Sequence, residues 1–158
     1  MMLGIFLDRD GTLIEDRNYL KNPDEVAVLP GVREAIKIFQ QLKSRIFLFS
    51  NQSGIARGVL KMSDVELCNA VMLKQIGCGN FFDDICIAPE GPNDQVSYRK
   101  PSPKFINEML MKYSLKKEEC FMVGDKLSDI MAGLNAGINS VLIRNNNQDG
   151  AEIDDLIK

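Results

Sequence analysis

The chain has 158 residues, of which 45% are hydrophobic and 26% charged, and its formal net charge is −3. This length predicts a single domain, residues 1–158, with a core large enough to be stable without disulfide bonds. The acidic balance and the lack of lysine or arginine runs argue against nucleic-acid binding, and no apolar stretch is long enough to cross a membrane.

Two further absences narrow the possible chemistry. No segment has the pattern of a signal peptide, so we expect a cytoplasmic protein with reduced, mostly buried cysteines. The sequence contains no histidine, which excludes Ser-His-Asp and Cys-His catalysis and histidine metal sites. Any reaction must therefore use carboxylates, lysine, hydroxyl groups and a hard metal ion.

Two strands and a helix are predicted in the first third of the chain. Leu3–Leu7 and Arg45–Phe49 are short apolar runs, which are typical of buried strands. Pro30-Gly31 opens a helix between them. Apolar residues recur along that helix at the spacing of one buried face, namely at Val32, Ala35, Ile36, Phe39 and Leu42.

The rest of the chain continues the alternation of strands and helices. Ser63 as N-cap and Glu66 three residues later predict a capping box, and the helix that follows ends near Ile76, before Gly77. The remaining predicted elements are a strand at Ile85–Ala88, a helix opened by Ser102-Pro103, a strand at Cys120–Val123, a helix at Leu127–Ala136, a strand at Ser140–Ile143 and a loop at Asn145–Asn147.

Strands that alternate with helices predict an α/β fold, with a doubly wound, Rossmann-like parallel sheet of about five strands and helices on both faces. The strands are apolar throughout, as expected where both faces of a sheet are covered. In such sheets ligands bind beyond the carboxyl ends of the strands. We therefore expect functional residues directly after each strand.

Polar residues follow the predicted strands or stand just before a helix. Those after the strands are Asp8, Asp10, Ser50, Asn51, Gln52, Asp125, Asp129 and Arg144, and Arg99 and Lys100 stand just before the helix opened by Ser102-Pro103. Several carboxylates in one small space repel each other unless a cation lies among them, and Mg²⁺ is the hard, oxygen-seeking ion that suits them. A lysine and a hydroxyl group supply the charge neutralisation and hydrogen bonds that a phosphoryl group needs.

Each of these features also has a purely structural interpretation. The Asp-Arg-Asp-Gly run at 8–11 could form a turn, Lys100 could be a solvated side chain, and Gly124-Asp125 could begin a helix. Their common position at strand ends, in this order, favours the functional interpretation.

Four motifs resemble those of the haloacid-dehalogenase superfamily of aspartate-nucleophile phosphohydrolases: DRDGT at 8–12, SNQSG at 50–54, RKP at 99–101 and GDKLSD at 124–129. The resemblance extends over Leu3–Arg144. Within the superfamily, the sequences resemble the branch that contains heptose 1,7-bisphosphate phosphatases and histidinol-phosphate phosphatases, and the region of Tyr19 and Pro23 is more similar to the heptose enzymes. The expected substrate is therefore a small phosphorylated sugar.

The resemblance implies a role for each motif residue. Asp8 is expected to form an aspartyl-phosphate, and Asp10 to protonate the leaving oxygen and then activate water. Mg²⁺ is expected on Asp8, Asp125 and the Asp10 backbone carbonyl, whereas Ser50 and Lys100 stabilise the phosphoryl group.

The resemblance also implies residues around this centre. Asp129 is expected to orient Lys100 or a metal-bound water, and Arg57 is the looser candidate for a distal phosphate. The expected substrate contacts are Asp16, Arg17, Asn18, Tyr19, Asn51, Gln52, Ser53, Arg57, Arg99 and Lys126. By analogy with such relatives we expect a monomer that binds neither nucleic acid nor membrane.

The sequence departs from the branch in the loop before RKP, where many members carry a zinc site of cysteine and histidine ligands. Here Val96 and Tyr98 precede Arg99, and Cys86 is the one cysteine near this loop. One soft ligand cannot build a tetrahedral zinc site, so we expect no zinc and a core position for Cys86. The stretch from 50 to 100 is also too short for a large inserted cap.

Other functions remain open at this point. A histidinol-phosphate phosphatase is a close alternative that only substrate profiling separates. A nucleic-acid 3′-phosphatase shares the DxDGT motif, but the acidic balance argues against it. A receiver-type signalling domain would carry its phosphoacceptor after the third strand, where Ala88-Pro89 stand. A non-enzymatic relative that binds sugar phosphates is disfavoured because no catalytic position is missing.

Overall fold

The computed structural model describes residues 2–144. Its strands are β1 (Gly4–Leu7), β2 (Arg45–Asn51), β3 (Asp84–Ala88), β4 (Cys120–Gly124) and β5 (Asn139–Leu142). Its helices are α1 (Val32–Gln41), α2 (Met62–Ile76), α3 (Lys104–Lys112) and α4 (Leu127–Ala136), with short 3₁₀ turns at Pro23–Glu25 and Lys117–Glu119. All strand pairs are parallel and the order is β3-β2-β1-β4-β5. The predicted doubly wound α/β fold is confirmed.

Two separate cores lie on the two faces of the sheet. Ile5 in β1 belongs to the core beneath α1 and α2, and its neighbour Phe6 belongs to the core beneath α3 and α4. Successive side chains of a strand point to opposite faces, so one apolar run supplies both layers. All four residues of β1 are buried, which is the pattern expected of a central parallel strand.

Aromatic rings fill much of the second core. Phe6 stacks on Phe47 from β2 with their ring centroids 4.6 Å apart, and Phe105 from α3 meets Phe47 edge-on at 6.4 Å. Offset stacks and edge-to-face contacts are the favourable arrangements of such rings. This packing fixes β1 and β2, whose carboxyl ends carry the candidate site.

Most predicted element boundaries agree with the structure to within two residues. Helix α4 has the predicted bounds, and Gly137 ends it in the left-handed region at φ 75°. Strand β2 continues two residues beyond Phe49, and β5 lies one residue earlier than predicted. Helix α3 begins at Lys104, after an N-cap at Pro103. The predicted loop at 145–147 lies outside the described residues.

The predicted capping box of α2 is wrong. The helix begins at Met62, with Lys61 as its N-cap. The Lys61 N–H donates to the side chain of Asp64 at 2.8 Å, so Asp64 provides the reciprocal contact that had been predicted for Glu66. Ser63 therefore lies within the first turn and does not precede it.

No helix within residues 2–144 combines the length and apolar character needed to span a bilayer. The four cysteines are free thiols: Cys68, Cys86 and Cys120 are buried, and Cys78 is half-buried. Cys86 packs in the second core, as predicted for a core thiol.

Candidate active site

The candidate site lies at the carboxyl ends of β1, β2 and β4. Asp8 directly follows β1, and its N–H donates to the carbonyl of Val123 in β4 at 3.0 Å. Ser50 is the penultimate residue of β2, and Asp125 follows the last residue of β4. The strand order reverses between β1 and β4, which is where doubly wound sheets bind ligands.

Lys100 joins two of these carboxylates. Its Nζ lies 2.7 Å from Asp8 Oδ1, 2.6 Å from Asp129 Oδ1 and 2.7 Å from the Phe49 carbonyl oxygen. An ammonium group has three donors, and each one has a partner here. The Lys100 side chain is 1% exposed, so its charge is held in one position by these contacts.

The Lys100 backbone is fixed from β2. Asn51 Nδ2 donates to the Lys100 carbonyl at 3.1 Å, and the Lys100 N–H donates to Asn51 Oδ1 at 2.9 Å. Asn51 thereby binds the chain before α3 as a neighbouring strand would. Although the resemblance implied a substrate contact for Asn51, its side chain contacts the Lys100 backbone.

The charges of this group are not balanced by Lys100 alone. Burial raises the pKa of Asp8 to about 7; Lys100 acts to lower it, whereas Asp129 and Asp10 raise it further. Burial acts to lower the pKa of Lys100, but Asp8 and Asp129 outweigh this effect and raise it. One ammonium therefore faces more carboxylate charge than it neutralises, and a further cation would favour ionised Asp8.

The donor set fits Mg²⁺. Carboxylate oxygens of Asp8, Asp125 and Asp129 all lie within 4.8 Å of one another. Asp129 already accepts from Lys100 through Oδ1 and from the Lys126 N–H through Oδ2 at 2.9 Å. Both oxygens of Asp129 therefore already have a donor, and the cluster as a whole offers the hard carboxylate oxygens of which Mg²⁺ usually takes one or two from protein.

Two glycines allow these carboxylates to approach the backbone. A Cβ on Gly11 would lie 2.1 Å from Asp125 Oδ2, and Gly11 has a φ of +84°, which disfavours other residues. A Cβ on Gly124 would lie 2.3 Å from Asp129 Cγ. Any larger residue at either position would displace a carboxylate of the site.

Asp10 lies beside this group in a hydrogen-bond network of its own. Its carboxylate accepts from the Arg9 guanidinium and from Gln52 Nε2, the latter at 2.7 Å to Oδ2. Gln52 Nε2 also donates to Ser50 Oγ at 2.8 Å, so one amide group links Asp10 to Ser50. Arg9 in turn donates to Asn69 in α2. Arg9 and Asn69 are not predicted as site residues from the sequence, since no local pattern indicates that they meet.

The segment after the first motif borders the open side of the site. Asp16 accepts from Lys126 Nζ at 2.9 Å, and although burial acts to raise the pKa of Asp16, this contact lowers it. Tyr19 has a φ of 60°, and its ring lies 5.8 Å from the Arg57 guanidinium carbon. These residues surround the site without belonging to its buried centre.

Other residues implied by the resemblance lie further out. Arg17 is exposed and pairs with Glu15, Asn18 donates its N–H to Asp16 Oδ1 at 3.1 Å, and Ser53 is half-buried. The structure gives these three residues no contact with Asp8 or Lys100. They lie along the same segments as Asp16 and Gln52.

The loop before Lys100 is organised by a carboxylate. Glu90 Oε1 accepts the N–H groups of Ser97 at 3.0 Å and Tyr98 at 2.7 Å, and Arg99 Nη1 donates to the Glu90 carbonyl at 3.0 Å. Burial acts to raise the pKa of Glu90, but these backbone hydrogen bonds lower it. Cys86 lies beneath the loop, where burial raises the pKa of its thiol to about 12.

Comparisons with known proteins agree with this architecture. The family model for haloacid dehalogenase-like hydrolases matches residues 8–143. A D-glycero-beta-D-manno-heptose-1,7-bisphosphate 7-phosphatase of Helicobacter pylori is 33% identical over 147 residues, covering 90% of this chain and 83% of that protein. A histidine biosynthesis bifunctional protein of Campylobacter jejuni is 32% identical over 141 residues, covering 87% of this chain and 40% of that protein.

A solved structure shows that this similarity extends to the fold. The D,D-heptose 1,7-bisphosphate phosphatase of B. bronchiseptica, complexed with magnesium and phosphate, superposes with a TM-score of 0.82 at 34% identity, covering 89% of this chain and 80% of that one. The family match includes Asp8, Lys100 and Asp125, the residues from which the site is built. The chain belongs to the haloacid dehalogenase-like hydrolase family.

Proposed function

We propose that the chain is a phosphatase that hydrolyses a small phosphorylated sugar through an aspartyl-phosphate on Asp8. The observation that carries this proposal is the buried arrangement in which Lys100 contacts Asp8 and Asp129, with Asp125 alongside. It combines a carboxylate nucleophile with a fixed positive charge, which phosphoryl transfer requires. It also lies at the edge of the sheet where ligands bind.

In the first half of the reaction, an Asp8 oxygen attacks phosphorus and the bond from phosphorus to the sugar oxygen breaks. Asp10 gives its proton to that leaving oxygen, so the sugar departs as an alcohol. The Lys100 ammonium, held against Asp8, and the Ser50 hydroxyl offset the negative charge of the phosphoryl oxygens while it redistributes over them. Both side chains are buried, which strengthens these interactions.

In the second half, water attacks the phosphorus of the aspartyl-phosphate. Asp10, now ionised, takes a proton from this water, and the bond between Asp8 and phosphorus breaks to release phosphate. Asp8, Asp125 and the backbone carbonyl of Asp10 would hold Mg²⁺, and Asp129 keeps Lys100 in place. When bound, Mg²⁺ supplies positive charge that offsets the repulsion between the nucleophile and the phosphoryl group.

The proposed substrate is a D-glycero-D-manno-heptose 1,7-bisphosphate, with hydrolysis at the 7-phosphate. Relatives about 33% identical over most of the chain bear the name of that activity, which supports this choice. Substrate contacts are proposed for the residues that the resemblance implies: Asp16, Arg17, Asn18, Tyr19, Asn51, Gln52, Ser53, Arg57, Arg99 and Lys126. Histidinol phosphate is the second candidate, because the bifunctional histidine-biosynthesis protein is 32% identical.

We propose that the enzyme works without zinc. The loop that precedes Lys100 is held by Glu90 through backbone hydrogen bonds. The pKa of the Cys86 thiol, raised to about 12, opposes the thiolate form that zinc binds. Among residues 2–144, the metal-competent cluster contains aspartates alone.

The remaining proposals concern the state of the enzyme. One chain supplies every site residue named above, so a monomer of one domain, residues 1–158, suffices for activity. The four free thiols fit a reducing compartment, and we place the enzyme in the cytoplasm. A net charge of −3 argues against nucleic acid as a partner, and we propose no membrane partner.

Phosphate release from a panel of substrates tests the function. The panel contains both anomers of heptose 1,7-bisphosphate, fructose 1,6-bisphosphate, histidinol phosphate and a 3′-phosphorylated oligonucleotide, each with Mg²⁺ and with EDTA. We expect one heptose anomer to be hydrolysed fastest, and Asp8→Asn and EDTA each to abolish the reaction. Metal analysis of the purified protein should find no stoichiometric zinc.

Three outcomes would change the proposal. Faster hydrolysis of histidinol phosphate would retain the mechanism and replace the substrate. Preference for the oligonucleotide would place the chain among nucleic-acid phosphatases. Full activity of Asp8→Asn, or no hydrolysis of any ester, would refute the aspartyl-phosphate mechanism itself.

A further inference from the structure

Arg9 is a buried arginine between the two aspartates of the first motif. Its relative exposure is 0%, and it is the largest of the fully buried side chains. A buried guanidinium costs much free energy unless its donors are paired. A surface turn would leave such a side chain in solvent. The buried position of Arg9 therefore indicates that its side chain has a role within the site.

Both ends of the Arg9 guanidinium are held. Nε lies 3.2 Å and 3.1 Å from the two Asp10 carboxylate oxygens, and Nη2 lies 3.1 Å from Oδ1. On the far side, Nη1 donates to Asn69 Oδ1 at 3.0 Å. Asn69 is buried in α2, so Arg9 connects Asp10 to a helix that is 60 residues away in the chain.

Asp10 is held from its other side as well. Gln52 Nε2 donates to Asp10 Oδ2 at 2.7 Å. Donors from Arg9 and Gln52 thus fix the plane of a carboxylate whose side chain is 16% exposed. A planar guanidinium suits this task, because its donors lie in a fixed fork that matches a carboxylate.

We propose that Arg9, anchored by Asn69, is the positioning residue that aims Asp10 at the leaving oxygen. This inference rests on the proposed function, in which Asp10 is the acid and base of the reaction. Arg9 itself is fully buried and donates to Asp10 and Asn69, so it acts through the Asp10 carboxylate. Its loss therefore impairs proton transfer more than substrate binding.

Two substrates with different leaving groups distinguish a positioning role of Arg9 from a merely structural one. An alkyl phosphate releases an alkoxide, which needs a proton in the transition state, whereas 4-nitrophenyl phosphate releases a stable phenolate that does not. The later attack of water on the aspartyl-phosphate also uses Asp10 and is common to both substrates, but kcat/KM reports only the steps up to release of the leaving group. A defect in Asp10 orientation should therefore lower kcat/KM for the first substrate much more than for the second. A general loosening of the site should slow both equally.

The test compares kcat and KM on a sugar phosphate and on 4-nitrophenyl phosphate for the full chain with Mg²⁺. The variants are Arg9→Lys, Asn69→Leu, Asn69→Asp and Asp10→Asn. In Arg9→Lys the ammonium group can reach Asp10, but it lacks the planar guanidinium whose donors also reach Asn69. Asn69→Asp keeps an acceptor oxygen for Arg9. Arg45→Met is the matched control, since Arg45 pairs with Asp83 at 2.6 Å at the opposite end of β2.

We expect Arg9→Lys and Asn69→Leu to lower kcat on the sugar phosphate by roughly 10- to 100-fold, up to the lower end of the range that general acid–base catalysis contributes. KM for the sugar phosphate should change little, and the loss of kcat/KM on 4-nitrophenyl phosphate should be about threefold or less. Asn69→Asp should retain most of the wild-type rate, and Arg45→Met should match wild type. Circular dichroism establishes that each variant is folded.

Several results would overturn the proposal. Equal losses of kcat/KM on both substrates, a defect confined to KM, or wild-type rates in Arg9→Lys and Asn69→Leu would each do so. A loss in Asn69→Asp as large as in Asn69→Leu would show that packing, and not the acceptor, matters. If Asp10→Asn has the leaving-group signature while the Arg9 variants lack it, Arg9 positioning fails and the proposed function stands; an inactive wild type overturns both.

Discussion

Lys100 shows how one residue serves both the fold and the site. Its ammonium group contacts two carboxylates and a strand carbonyl, and no donor is left for solvent. Removing one partner from a buried ion pair leaves an uncompensated charge, which costs more than the pair contributed. In this chain, removal would leave Asp8 and Asp129 facing each other.

We predict that Lys100→Met lowers the free energy of unfolding by about 3 kcal/mol at neutral pH without metal, the scale for breaking a buried ion pair. Lys112→Met is the matched control, because Lys112 also pairs with an aspartate, Asp84 at 2.5 Å, but on the surface. Exposed pairs contribute little to stability, so this variant should resemble wild type. Urea unfolding at pH 7 in EDTA measures both.

A destabilisation of equal size in the two lysine variants would contradict this view of Lys100. So would a Lys100→Met protein as stable as wild type at pH 7. The first result would mean that burial does not distinguish Lys100 from Lys112, and the second that the buried carboxylates accommodate each other without the ammonium group.

At the scale of the elements, the loop at 89–99 depends on one side chain. Glu90 accepts two backbone N–H groups from the far end of the loop, and Arg99 donates to its carbonyl. Residue 99 directly precedes Lys100, so the loop conformation and the position of the lysine are coupled along the chain. Tyr98 adds a contact from its hydroxyl to Glu108 in α3 at 3.0 Å.

We predict that Glu90→Ala frees the loop locally. Hydrogen bonds to a charged acceptor contribute about 1.5–3 kcal/mol, so amide exchange at Ser97 and Tyr98 should quicken by roughly tenfold or more. Glu108→Ala is the control, because it removes a carboxylate contact of the same loop but leaves both amides bonded. Hydrogen exchange read by NMR measures each amide separately.

Exchange in α3 should stay unchanged in Glu90→Ala, since that helix keeps its own hydrogen bonds. Unchanged exchange at Ser97 and Tyr98 would show that Glu90 does not organise the loop. Equal acceleration in Glu108→Ala would assign the restraint to Tyr98 instead.

The elements themselves were largely predictable from the sequence. Helical spacing placed α1, and the glycine at position 137 placed the end of α4. The start of α2 was misplaced because Ser63-x-x-Glu66 and Lys61-x-x-Asp64 overlap, and only three-dimensional contacts decide which carboxylate accepts the N–H. Local patterns thus identified the helix but not its first residue.

For the whole molecule, sheet topology explains which parts of the site could be predicted. Parallel strands bring the residues at their carboxyl ends together, so Asp8, Ser50 and Asp125 could be placed at one edge. The contacts of Arg9 with Asn69 could not, because they depend on how α2 packs and leave no periodic signal. Gln52, for which a substrate contact is predicted, also donates to Asp10 and Ser50, and nothing in the local sequence indicates these two contacts.

Charge crowding in the site also affects the stability of the whole chain. Burial raises the pKa of Asp8 to about 7 from an ordinary value of 3.8. Between these values the folded protein binds a proton that the unfolded chain has released. Folding stability from this group is therefore fully present below pH 3.8 and is lost as pH rises towards 7.

We predict that, in EDTA, the free energy of unfolding of wild type falls relative to Asp8→Asn as pH rises from 4 to 7, with a slope of at most about 1.4 kcal/mol per pH unit for one group. Asp8→Asn is nearly isosteric and does not titrate, so the difference between the two proteins isolates Asp8 from all other groups.

Saturating Mg²⁺ should stabilise wild type most at pH 7, because a bound cation favours ionised Asp8. By mass action, Mg²⁺ at one hundred times its dissociation constant adds about 2.7 kcal/mol to the free energy of unfolding. Urea titrations at several pH values, with and without Mg²⁺, measure both effects. Parallel pH curves for the two proteins in EDTA would show that Asp8 is already ionised beside Lys100 and that the carboxylates need no second cation. An equal response of both proteins to Mg²⁺ would place the metal away from Asp8.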